Sequence, residues 1–161
     1  MATSYFLAKS EPDAYSIDHL KKQKVGSWDG VRNFQARNVM RDQMKVGDYV
    51  LFYHSNADPP GVVGLARVHR EAYPDHTQFD PNSKYYDAKS TEDKPRWLMV
   101  DVQFIEKFPR MVSLAELKDD PELEGMLVIK RGMRLSVQPV ERKHFVRVLK
   151  LAGAQFKAPR R

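Results

Sequence analysis

With 161 residues, 42% of them hydrophobic, the chain is long and apolar enough to bury one sizeable core as a single domain. It contains no cysteine, which excludes disulfides, thiolate zinc sites, iron–sulfur clusters and cysteine nucleophiles. A formal net charge of +6 favours anionic partners, with nucleic acid first among them.

In chain order, "YFLAK" (Tyr5–Lys9) reads as a first strand stopped by Pro12. The N-terminal stretch carries no long apolar run of the secretory kind, and no apolar run is long enough to span a bilayer. A soluble cytoplasmic protein, nuclear if the source is eukaryotic, is the expectation. "SIDHLKKQ" predicts a short helix with Ser16 as N-cap, broken by Gly26. Trp28 then falls in a turn, and a second helix starts at Asp29 or Gly30. On that helix Ala36, Met40 and Met44 form an apolar stripe, and Asn33, Arg37 and Arg41 a polar one.

"YVLFYHS" (Tyr49–Ser55) and "GVVGLARVHR" (Gly61–Arg70) predict strands joined by the Pro-rich loop "NADPP". Residues 71–96 form a long polar loop rich in Tyr and Pro, a length more often functional or mobile than idle. "RWLMVDVQFIEKF" is the clearest strand, with Leu98, Val100, Val102 and Phe104 alternating against polar neighbours. In "SLAELKDDPEL", Ser113 and Glu116 form a capping box for a short helix. "MLVIKRG" is a strand or a buried run. The chain ends in a helix with Phe145, Val148 and Leu149 inward, then a frayed basic tail over 153–161. Strands and helices mix without regular βαβ alternation, and no G-x-G-x-x-G or P-loop occurs. The fold class is therefore α+β, a strongly curved sheet or small barrel flanked by helices, over residues 1–152.

Chemistry-bearing constellations are sparse. There is no G-x-S-x-G elbow. His54 and Ser55 are adjacent on a strand and so point to opposite faces, which prevents a direct Ser–His pair. His69, Asp75, His76 and Asp80 cluster in sequence, but without metal-ligand spacing they read as loop-solvating residues. No cofactor and no metal are expected. Nucleic-acid binding accounts for more. Arg32, Arg37 and Arg41 on the second helix, and Lys130, Arg131 and Arg134 in "KRGMRLS", suit phosphate contacts, while Trp28, Tyr53 and the loop tyrosines suit base stacking. The competing reading has the arginines as a solvated face and Trp28 as a core staple.

The segments "YFLAKSEP", "WDGVRNFQARN", "GDYVLFYHSN", "GVVGLARV", "YPDHTQFD", "PRWLMVDVQF" and "RLSVQPV" together resemble the EVE domain, in the same order, from about Tyr5 to Leu151. The resemblance implies a PUA-like pseudo-barrel of mixed strands with peripheral helices. It also implies kinship with the YTH domain, which reads a methylated adenine in RNA through an aromatic cage. The expected function is non-catalytic reading of a modified nucleobase, with DNA or RNA as partner and no membrane role. Carried over motif by motif, it nominates Lys9, Ser10 and Glu11, then Trp28 with Asp29, and Tyr53, His54 and Ser55 as the base pocket, with Asn33 as a helix-start neighbour. The second cage tryptophan has no match. It falls at "AYPDHTQF", where Tyr73, His76 or Phe79 stand nearest, and Trp97 reads as a packing residue. Two alternatives remain: an enzyme using Glu11 or His54 as acid or base, and a protein-interaction module built on the loop Asp75–Lys94.

Overall fold

The computed structural model describes residues 2–160. Among these, six strands form one mixed sheet: β1 (Tyr5–Ser10), β2 (Val25–Trp28), β3 (Tyr49–His54), β4 (Gly61–Pro74), β5 (Leu98–Ser113) and β6 (Val137–Val140). Their spatial order is β2-β5-β4-β3-β1-β6. β1 and β3 run parallel, and the other neighbours are antiparallel. The flanking helices are α1 (Ile17–Gln23), α2 (Phe34–Asp42), α3 (Leu114–Asp119) and α4 (Arg142–Ala152). This is the α+β architecture expected. No helix among the described residues is long and apolar enough to cross a membrane.

Both faces of the sheet are buried. Tyr5, Leu7, Leu51 and Tyr53 pack with Leu117 of α3 and Phe145 and Val148 of α4. Phe6, Ala8, Val50 and Phe52 pack on the other face with Ile17 and Leu20 of α1 and Ala36 and Met40 of α2. Two-sided burial explains why the first and third strands read as near-continuous apolar runs rather than clean alternation. Each fully buried Leu or Phe is worth about 1.5–3 kcal/mol. The pairing of β4 with β5 slips at several points between Val62 and Tyr73. Such bulges add twist and bend, so these strands of 14 and 16 residues curl instead of extending flat.

Some boundaries differ from expectation, each for a local reason. Val25–Trp28 is not a helix break and turn but strand β2, paired with Val100–Gln103 of β5. Lys24 takes φ 72° and ends α1 within one residue, so pairing resumes at once. Gly26 serves packing instead, because a Cβ there would collide with the Tyr15 hydroxyl. α2 starts later than Asp29 or Gly30. Asn33 is its N-cap, and its Oδ1 accepts the Ala36 N–H at 3.0 Å, so the polar stripe reduces to Arg37 and Arg41. Leu127–Ile129 is a single 3-10 turn in a buried run, and Val137–Val140 is an edge strand ahead of α4. Residues 153–160 are anchored, not frayed. Glu106 accepts the Gln155 and Phe156 N–H groups at 2.9 and 3.0 Å, and the Phe156 ring lies 5.0 Å from Tyr49.

The long loop is shorter and firmer than its composition implies. β4 runs on to Pro74 and a 3-10 turn covers His76–Phe79. Gln78 is fully buried. Its Nε2 donates to the carbonyls of Asp75 and Trp97 at 2.7 and 2.8 Å, and its Oε1 accepts from the Arg96 and Trp97 amides and the Ser90 hydroxyl. One satisfied side chain thus staples both ends of the loop.

Candidate nucleic-acid interface

A cavity of about 720 Å³ opens where the C-terminal ends of β1 and β2 meet the long loop. β1 contributes Lys9 and Ser10, with Glu11 just after it; β2 contributes Ser27 and Trp28, followed by Asp29 to Arg32. Ala14, Tyr15, Gln23, Ser55, Ser136 and the loop residues Lys84 and Tyr85 complete the wall. Trp28 is 7% exposed. Its ring meets Phe52 and Tyr15 edge-to-face at 5.1 and 6.2 Å, so it belongs to the core and to the cavity at once.

The loop is fastened to the cavity by one buried carboxylate. Asp75 Oδ2 accepts the Gly30 N–H at 2.8 Å and Arg32 Nη1 at 3.1 Å; its Oδ1 accepts the Thr77 N–H and hydroxyl at 2.8 and 2.5 Å. Arg32 also donates to the carbonyls of Val31 and Tyr85 and to Thr77 Oγ1, which engages all its N–H donors. Its guanidinium lies 5.4 Å from the Tyr85 ring and 5.3 Å from the Trp97 ring. Gly30, at φ 79°, lets the Tyr85 ring approach: an added Cβ would sit 2.7 Å from it. Arg32 therefore locks the loop and has no N–H left for a phosphate.

The nominated residues separate into two groups. Lys9, Ser10, Glu11, Trp28, Asp29 and Ser55 share the cavity. Asn33, Tyr53 and His54 do not line it. Asn33 is engaged as the α2 cap. Tyr53 is buried in the core beneath α4, on the sheet face opposite Phe52. His54 Nε2 accepts the Ile17 N–H at 3.1 Å and so caps α1, and burial lowers its pKa. Of the aromatics nearest the missing cage position, Tyr73 donates to Asp101 at 2.5 Å, and Tyr73, His76 and Phe79 all lie outside the cavity wall. Of the loop tyrosines, Tyr85 lines the cavity, and no periodic pattern in the loop marks it. Trp97 packs, stacked 4.6 Å from Phe34 with Nε1 donating to Asp87.

The remaining basic residues differ in availability. Lys130, Arg131 and Arg134 are exposed in a loop joined to β1 by Lys9 Nζ donating to the Met133 carbonyl at 3.2 Å, and Ser136 of the same loop lines the cavity. Arg37 donates to Asn38 Oδ1 and the Arg96 carbonyl, and Arg41 pairs with Asp42; each keeps some free N–H donors.

Hydrogen bonding also sorts the cavity's own polar groups. The Ser10 hydroxyl donates to the Tyr15 carbonyl, Tyr15 OH donates to Gln23, and Glu11 accepts from Asn56. Asp29, Ser55, Lys84 and Ser136 make no side-chain hydrogen bond to another described residue. Partial burial pushes the Asp29 carboxyl above its usual range and the Asp75 carboxylate adds to this, against His76 and Arg32. Burial lowers the Lys9 pKa and raises that of Tyr15. Burial alone would raise Asp75, yet its bonds from Thr77, Gly30 and Arg32 hold it below the usual carboxylate range. Among the described residues no three acidic or histidine side chains are grouped to hold a metal. The arrangement offers aromatic surface, one unpartnered carboxyl, two hydroxyls and an ammonium, a set that suits a planar ligand with mixed donors and acceptors.

Comparison with known proteins matches residues 4–151 to the EVE domain. Thymocyte nuclear protein 1 of Homo sapiens is 45% identical over 168 residues, covering 92% of this chain and 74% of the relative. A hypothetical protein from Leishmania major has a similar structure, with TM-score 0.91 and 49% identity over 94% of this chain and 96% of that one. The human THYN1 protein, solved in complex with DNA containing 5-methylcytosine, superposes with TM-score 0.88 at 44% identity, covering 98% of this chain and all of that one.

Proposed function

The chain belongs to the EVE domain family and carries its PUA-like α+β fold, and on that premise we propose that it binds nucleic acid and holds an unpaired modified base in the cavity lined by Trp28 and Tyr85, without catalysis. The observation that carries this reading is the grouping of three aromatic side chains, Tyr15, Trp28 and Tyr85, with unpartnered polar groups inside one cavity, next to an exposed basic loop. A base needs a π face to stack on and donors and acceptors for its edge, and its flanking phosphates need cations. Lys130, Arg131 and Arg134, in the exposed loop that also carries the cavity residue Ser136, supply cations for them, with Arg37 and Arg41 on α2. The complex of human THYN1 with 5-methylcytosine DNA makes 5-methylcytosine the first base to test, in DNA before RNA. Two placements support reading rather than chemistry: Glu11 is held by Asn56 and His54 by α1, so neither is poised as a general acid or base.

Fluorescence anisotropy with strands differing only in one 5-methylcytosine tests the reading. The modified strand is expected to bind more tightly, and equal binding would contradict it. Arg131→Ala and Arg134→Ala are each expected to lower the slope of log affinity against log salt by about one unit while keeping preference for the modified base. Arg32→Ala is expected to lower stability instead and to leave that slope unchanged.

A further inference from the structure

We propose that Asp29 sets which class of base the cavity accepts: one bearing an exocyclic amine beside a ring-nitrogen acceptor, the cytosine pattern, over one bearing a carbonyl beside a ring N–H, the thymine pattern. This deepens, and rests on, the reading that the cavity holds a base.

The backbone at Asp29 is held from both sides. The preceding residue, Trp28, is paired with Val100 in the sheet, and the following residue, Gly30, donates its N–H to buried Asp75 at 2.8 Å. Asp29 thereby lines the same cavity as Trp28. Of the two acidic side chains lining the cavity, Glu11 is engaged by Asn56 at 2.5 Å, whereas Asp29 has no side-chain partner among the described residues. A carboxylate only accepts, so it pairs with the amine of cytosine and repels a carbonyl oxygen in the same place. The surroundings sharpen the preference. Partial burial and the Asp75 carboxylate already disfavour the charged form of Asp29. An amine donor relieves that cost, and a carbonyl oxygen adds to it. Where Asp29 keeps its proton, the O–H reaches the ring nitrogen beside the amine and the second oxygen still accepts. Lys84, Ser55 and Ser136 leave donors free for the remaining ring carbonyl. One acceptor set against several donors matches a base with one amine and one carbonyl.

5-Methylcytosine and thymine share ring size and the 5-methyl group and differ only along this edge, so they isolate the effect. The experiment measures anisotropy of three single strands, identical except for 5-methylcytosine, thymine or an abasic site at one central position. The intact protein is expected to prefer 5-methylcytosine over thymine by about 5- to 150-fold, the range for one good base contact. Asp29→Asn, whose amide both donates and accepts, is expected to bring the ratio to about one or below by gaining thymine affinity. Asp29→Ala is expected to lower the ratio without that gain. The side chain bonds no other described residue, only its own backbone N–H, so thermal midpoints should stay level and confirm folded variants. If 5-methylcytosine and thymine bind equally but both above the abasic strand, or if Asp29→Asn keeps the ratio, the role of Asp29 is overturned while the base-reading proposal stands. If 5-methylcytosine binds no better than the abasic site, base reading fails, and this inference with it.

Discussion

Replacing Asp75 with alanine is expected to cost about 3–5 kcal/mol of folding stability and to abolish binding of a modified base. The Asp75 side chain is fully buried, and removing it leaves the Arg32 guanidinium and the Gly30 and Thr77 donors without their acceptor. The same change frees the loop that carries Tyr85 and unpins the backbone next to Asp29. Urea or thermal unfolding measures the first effect and anisotropy the second. The pH dependence has a definite sign. The folded pKa of Asp75 is depressed, so its contribution is fully present above the unfolded carboxylate value near about 3.9 and is lost as pH falls through the lower folded value. Stability of the variant should therefore fall less steeply than that of the intact protein across this acid window.

Trp28→Ala is expected to lose about 3–5 kcal/mol, because the side chain is mostly core and its neighbour Phe52 would border a cavity. Folded variant that survives should also lose about 1–3 kcal/mol of base binding from the missing stack. Trp28→Phe and Tyr85→Ala separate the two effects. The first keeps a ring in the core, and the second removes an aromatic wall that is only partly buried. Tyr85→Ala should weaken modified-base binding while shifting the thermal midpoint little. If base binding survives Tyr85→Ala unchanged, the Tyr85 ring is not a stacking surface.

How far the sequence reaches depends on the range of the interaction. Ser16 and the Ser113–Glu116 box declare their helix starts within three or four residues, and both caps are present. The apolar runs of β1 and β3 declare buried strands, and two-sided burial accounts for their weak alternation. The six nominated residues that share the cavity came from motifs at three separate points in the chain, and strand pairing of Lys9 with Tyr53 and Ser10 with His54 is what brings two of those points together. The same geometry rules out Tyr53, His54 and Ser55 as joint pocket residues, since consecutive strand side chains alternate faces. Arg32 looked like a phosphate ligand because its partner, Asp75, lies 43 residues away and nothing local announces it. Tyr85 sits in an irregular loop without a period to reveal it. Its sequence signals are its aromatic type, shared with the other loop tyrosines, and Gly30, two residues after Trp28, which leaves room for a ring. Buried Gln78, which orders the loop, carries no local signal at all, because polar loop residues are ordinarily exposed.

The most direct test of a base held in the cavity is amide and indole chemical-shift mapping of the intact protein titrated with a single strand carrying one 5-methylcytosine. The largest changes are predicted at Ser10, the Trp28 indole, Asp29 and Tyr85, with smaller ones over Lys130 to Arg134 that fade as salt rises. Changes confined to the basic loop, with Trp28 and Tyr85 unmoved at saturation, would contradict the assignment.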